Sequence, residues 1–243
     1  MWLAVAAAGG LVALAASKRL KEILFAIIWQ RINVKAPVYW LLKPARKSML
    51  RETSKLHGRI LEVGSGDGGQ LRYLCGVAAP NVQEVVCCEP NKSFHAHLRQ
   101  EMHAVQRRAS AEGIDVKLRL FPGNLHELVE AEPSSRFDAI VTWLVLCSVP
   151  DVDEAVNDCA SLLKAPGGRL LYLEHVAAAS AGARAFQRLN QHTYWWLIGD
   201  GCQLCRDTNA ALDAIPTWRR IHHERRGFMG GLFPVICGAC EAR

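Results

Sequence analysis

The stretch RILEVGSGDGG, residues 59–69, constrains this chain more than any other. A short apolar run leads directly into Gly64, Gly66, Gly68 and Gly69. Glycines packed this densely are costly inside regular structure and belong where the backbone must turn or approach a ligand closely. A strand, then such a loop, then a helix start is the nucleotide-binding turn of a parallel α/β sheet. The chain beyond it repeats the alternation. Strands are expected at 59–63, 82–90, 114–123, 137–143 and 169–176, with two more in TWRRIHHER and LFPVICGACEA. Helices are expected at 69–75, 91–112 and 152–164, with Asn91 as an N-cap. Such alternation means a mainly parallel sheet with helices on both faces, here ending in a strand pair. Ligands in these Rossmann-like sheets bind outside the carboxyl ends of the strands.

Two nucleotide cofactors compete for the loop. Gly64-x-Gly66-x-x-Gly69, with Glu89 twenty residues later, satisfies the dinucleotide fingerprint. Glu62-x-Gly64-x-Gly66-x-Gly68 equally matches the loop of S-adenosylmethionine-dependent methyltransferases. Electrostatics separates the two. A dinucleotide would set a pyrophosphate beside Glu62 and Asp67, in a site where repulsion is weakly screened. S-adenosylmethionine carries a sulfonium and an ammonium, which an acidic loop attracts. On this reading Glu62 supports the cationic amino-acid end, and Glu89 accepts from both ribose hydroxyls.

The N-terminal arm differs in character from the rest. Residues 1–59 hold eleven Lys or Arg against two Glu, a net of +9, and the remainder is net −3. Nucleic acid would require a basic footprint on the domain itself, so that partner is not expected. MWLAVAAAGGLVALAA has no charge but is shorter than the ~20 residues of a straight span. Three readings compete: a cleaved leader, which has a possible Ala13-Leu14-Ala15 cleavage site but no basic start, a buried helix, and a membrane anchor that includes Ile23–Trp29. The anchor is preferred, with Lys18, Arg19 and Lys21 on the cytosolic side. The expected organisation is an anchor at 1–29, a basic, partly helical linker at 30–58 broken by Pro37 and Pro44, and the catalytic domain at 59–243.

LEVGSGDG, CCEPNKSF, FDAIVTWLVLCSV, LLKAPGGRLLYLEHV and GDGCQLCRDT together resemble the methyltransferase-like protein seven family. The resemblance runs in order over residues ~20–243. It implies a class I methyltransferase fold, S-adenosylmethionine as cofactor and methylation of small lipophilic thiols. It also implies attachment to membrane lipids of the endoplasmic reticulum or lipid droplets, with the domain facing the cytosol. The carried-over cofactor residues are Glu62, Gly64, Ser65, Gly66, Gly68, Glu89, Pro90, Asn124, Leu125 and Thr142. Three departures stand out. Ser65 replaces a usual cysteine, Glu89 a usual aspartate, and Asn124 stands where an acid commonly meets the adenine amine. The Asn124 amide oxygen can accept that bond.

A thiol acceptor reacts as its thiolate, so a nearby base helps. His175, at the ligand edge of strand five, is the first candidate; a structural pairing with Glu174 is the alternative. Asp200 either orients His175, closes the pocket or simply shapes a turn between two glycines. Trp143, Cys147, Ser148 and Trp195 are candidate pocket walls, although buried cysteine and aromatics are also ordinary core. Cys202-x-x-Cys205 and Cys237-x-x-Cys240 are spaced too far apart for a common zinc site, and the second pair falls in an expected strand, so no metal is assigned. His222 and His223 read as an exposed strand end. The nine cysteines are read as reduced thiols. Two other functions stay open: a lipid, quinone or sterol methyltransferase, and a non-catalytic membrane interaction protein.

Overall fold

The computed structural model describes residues 17–31, 40, 42–227, 231 and 233–243. The apolar run at 1–16 and Pro37 lie outside them. No helix among the described residues is long and apolar enough to cross a membrane.

Seven strands form one sheet: β1 (His57–Val63), β2 (Asn81–Cys88), β3 (Lys117–Phe121), β4 (Ala139–Trp143), β5 (Arg169–His175), β6 (Trp218–Arg226) and β7 (Val235–Ala242). Their order is β3-β2-β1-β4-β5-β7-β6. β1 to β5 run parallel, and β7 lies antiparallel to both β5 and β6. The sheet order reverses between β1 and β4, which makes their carboxyl ends the expected ligand crevice.

The helices are α1 (Lys18–Arg31), α2 (Lys43–Thr53), α3 (Leu71–Leu74), α4 (Lys92–Ala111), α5 (Leu125–Ala131), α6 (Val152–Leu162), α7 (Ala181–Asn190), α8 (Trp196–Ile198) and α9 (Thr208–Asp213). A π-helical turn, Gln191–Trp195, joins α7 to α8. Side chains alternate across each strand, so β1 sends Ile60 to one core and Leu61 to the other. The first core gathers Met49, Leu71 and Leu98 from α2, α3 and α4. The second gathers Leu128, Val156 and Leu212 from α5, α6 and α9. Removing one such buried leucine side chain costs about 2–5 kcal/mol, because the cavity relaxes only partly.

The expected elements are present, most with shorter bounds, although β1 begins two residues earlier, at His57. β2 stops at Cys88, because Glu89 and Pro90 turn away into α4. Asn91 caps α4 as expected, its side chain accepting from Ser93 N. Pro44 corrects the reading of a broken linker: it stands at the start of α2, where a missing N–H costs nothing. Cys237 and Cys240 face opposite cores, as alternation along β7 requires, and so cannot share one ion.

Candidate active site

β1 delivers Glu62 to the crevice. The residue is 1% exposed, and its Oε2 has no hydrogen-bond partner. Burial, with the Glu89 charge nearby, pushes its carboxyl up to about 8 against the pull of Ser65. The loop then turns through Gly64, Gly66 and Gly68, all with positive φ. A Cβ on Gly64 would lie 2.4 Å from Val145 Cγ2, so that glycine lets the loop meet the segment after β4. A Cβ on Gly66 would meet nothing within 4 Å. Gly66 thus borders open space while its N–H donates to Glu89 Oε2 at 2.7 Å. Glu89 Oε1 accepts from Asn91 N at 2.8 Å. Burial pushes Glu89 up to about 7 despite these two donors. Each of its oxygens keeps a second lone pair for a hydroxyl. Ser65 is buried and reaches back to Glu62 O, and Pro90 is exposed at the mouth.

This cradle fits S-adenosylmethionine. A buried carboxylate oxygen with no partner is costly unless a cation or donor reaches it. An ammonium supplies that partner, and a pyrophosphate would make the cost worse.

Three predicted cofactor residues have other places in the fold. Asn124 Oδ1 accepts from Glu127 N at 2.9 Å while Glu127 Oε2 accepts from Asn124 N, a capping box that starts α5. Leu125 is buried in the second core. Thr142 is fully buried, paired with Val63 and Tyr172 inside the sheet.

The β5 end holds His175, 7% exposed, with both ring nitrogens unpartnered. Burial lowers its pKa, so the ring is neutral at pH 7 and can take a proton. The pairing with Glu174 does not form. Glu174 Oε2 instead accepts from Leu146 N at 3.0 Å, fixing the loop after β4 from below. Arg206 clamps the same loop from the far side, donating to Leu146 O, Val149 O and Pro150 O. Leu144 begins the loop with φ +56, a left-handed conformation costing about 1–3 kcal/mol for a non-glycine residue. The loop carries Cys147, buried, and Ser148, partly exposed. Phe233 lies between His175 and Trp195, with ring centroids 6.1 and 6.4 Å away. Trp143 packs on the first core under the Arg46 guanidinium.

Asp200 does not reach His175. Its carboxylate accepts from Asn91 Nδ2 at 3.2 Å, on the Glu89 side of the crevice. Asn91 Nδ2 also donates to Glu22 O of α1. Phe25 of α1 meets Phe94 edge-on, and Lys21 lies 4.7 Å from the Trp196 ring. So α1 and the insert close over the β2 end through Asn91. Its cap role was visible in sequence; its amide nitrogen's long-range partners were not. Arg206 gave no local signal either, because its three acceptors lie 56–60 residues away.

The sheet order, the glycine loop at the switch point and the acidic residues ending β1 and β2 define a Rossmann-like methyltransferase architecture. A family model described as a methyltransferase domain matches residues 40–213, and the chain belongs to that family. Among curated relatives, the thiol S-methyltransferase TMT1B of Rattus norvegicus is 33% identical over 150 residues, which is 61% of this chain and 55% of the relative. The thiol S-methyltransferase TMT1A of Homo sapiens is 30% identical over 168 residues, 68% of this chain and 63% of the relative. The chain therefore spans somewhat over half the length of the curated relatives it matches. The N-methyltransferase NodS from Bradyrhizobium japonicum WM9, solved with S-adenosyl-L-homocysteine, superposes with a TM-score of 0.54 at 15% identity, covering 81% of this chain and 85% of NodS. At that identity the likeness concerns fold alone.

Proposed function

We propose that this chain is an S-adenosylmethionine-dependent methyltransferase that methylates the sulfur of small lipophilic thiols at a membrane surface. The observation that carries the cofactor is the unpartnered, buried Glu62 oxygen beside the open face of Gly66. The thiol acceptor is supported by the names of the curated relatives and by a neutral, buried imidazole at the β5 end.

When bound, S-adenosylmethionine supplies a methyl group activated on a sulfonium. The chain supplies alignment and dryness. Glu62 holds the cationic amino-acid end, and the Glu89 lone pairs orient the ribose. Glu174 and Arg206 keep the Leu146–Pro150 loop in one geometry beside the reacting atoms. His175 takes the acceptor's proton, which matters because a thiol with pKa ~8.5 is only a few per cent ionised at neutral pH. Phe233 and Trp195 exclude water. The membrane setting is supported by the apolar, basic N-terminal arm and by Phe186, Leu189, Tyr194 and Trp196, which the insert leaves exposed.

The test is a product assay on the full chain in lipid vesicles, with thiols, matched alcohols, quinols and sterols offered as acceptors. S-methyl products are expected, with His175→Gln lowering kcat on weakly acidic thiols by roughly 10²–10⁴-fold and on acidic thiols far less. Methylation confined to lipid oxygen or carbon would overturn the thiol reading.

A further inference from the structure

Cys202 lies where two surfaces meet. On one side is a cavity of about 490 Å³, bordered by Arg188, Gln191, His192, Trp196, Cys202 and Cys205. On the other side is the loop after β4. Gln203 N donates to Cys147 O at 2.8 Å, and a Cβ on Gly201 would lie 2.9 Å from Ser148 O. The two backbones are thus in direct contact, and the Cys147 and Cys202 thiols interact side chain to side chain. His175, with both nitrogens unpartnered, lies close to Cys147.

The thiols are unequal. Contact with Cys147 lowers the pKa of Cys202, whereas Cys147 itself is raised by the same contact and by burial. Burial also raises six others: Cys75, Cys87, Cys88, Cys159, Cys237 and Cys240. An attacking thiolate open to a cavity, with a second thiol behind it, is the arrangement that disulfide exchange needs. Arg188 gives the cavity a positive charge.

We propose that Cys202 and Cys147 form a thiol–disulfide exchange site for small anionic disulfides entering through this cavity. The Cys202 thiolate attacks one sulfur of the disulfide; the S–S bond breaks and the first thiolate leaves. Cys147 then loses its proton and attacks the Cys202 sulfur, and the second thiolate leaves. The departing thiolates take up the two protein protons. Two protein thiols are oxidised to one disulfide, and one small disulfide is reduced to two thiols. Those thiols are released beside the site proposed to methylate them, a consequence that rests on the preceding reading; the exchange itself does not.

The experiment exposes the full chain to oxidised glutathione, an anionic disulfide, and to cystamine, a cationic one, and maps the modified cysteines by non-reducing peptide mass spectrometry. The wild type should acquire a Cys147–Cys202 link. Cys147→Ser should trap glutathione on Cys202, and Cys202→Ser should leave Cys147 unmodified. Glutathione disulfide should react roughly tenfold or more faster than cystamine, a preference that Arg188→Ala should erase. Thermal unfolding of each variant checks that it is folded. First modification at Cys205, or a folded wild type forming no Cys147–Cys202 link, would overturn the proposal. Neither result depends on methyl transfer.

Discussion

Glu62 and Glu89 are buried carboxyls whose ordinary charge is partly suppressed by the protein around them. With its carboxyl pushed up to about 8, Glu62 is mostly protonated at pH 7 in the free protein. A cationic ligand favours the carboxylate and lowers that pKa, so binding must expel a proton. Affinity for S-adenosylmethionine should therefore rise with pH up to about 8 and level off above it. The slope should approach tenfold per pH unit, as for one released proton. Calorimetry in buffers of different ionisation enthalpy would count that proton, and Glu62→Gln should abolish its release. Glu62 could be read from sequence because its argument needs only a charge beside a glycine loop. Asn124 could not, because whether its amide oxygen faces a ligand or caps a helix depends on a backbone turn.

Among the elements, α1 and the insert that runs from α7 to α9 contribute what the strand pattern did not show. The strands were legible because a sheet buried on both faces writes continuous apolar runs between turn residues. Their ends were overextended, since apolar residues continue past the last ladder bond. The docking of α1 was not legible: beside the Phe25–Phe94 and Lys21–Trp196 contacts it uses one amide, Asn91, that caps α4 while donating to Glu22 O and Asp200. Asn91→Ala should cost about 1 kcal/mol through the lost cap and also free α1. Asn91→Ser keeps a cap acceptor and loses both donations. Limited proteolysis should thus cut within Lys18–Arg31 faster in both variants, while thermal unfolding shows a clear drop only in Asn91→Ala. Equal protection of α1 in all three proteins would contradict this account of its docking.

Across the whole molecule, the sheet brings the ends of β1, β2, β4 and β5 to one edge, and everything proposed here happens there. That convergence was legible because alternating strands and helices leave few topologies open. Asp200 was only partly legible by the same coarse reasoning: the topology sends its loop to the right edge of the sheet but cannot say whether it meets β2 or β5, and of the three expected roles only the orienting of His175 fails. The central claim is that this edge holds a cationic methyl donor and not a dinucleotide. Calorimetric titration of the full chain with S-adenosylmethionine and, separately, with NAD tests it most directly, with Glu89→Ala as the control. The account predicts that S-adenosylmethionine binds, that NAD does not, and that Glu89→Ala weakens binding roughly tenfold or more, the loss expected for a hydrogen-bonded charged partner. NAD binding in place of S-adenosylmethionine, or no binding of either by a folded chain, would contradict it.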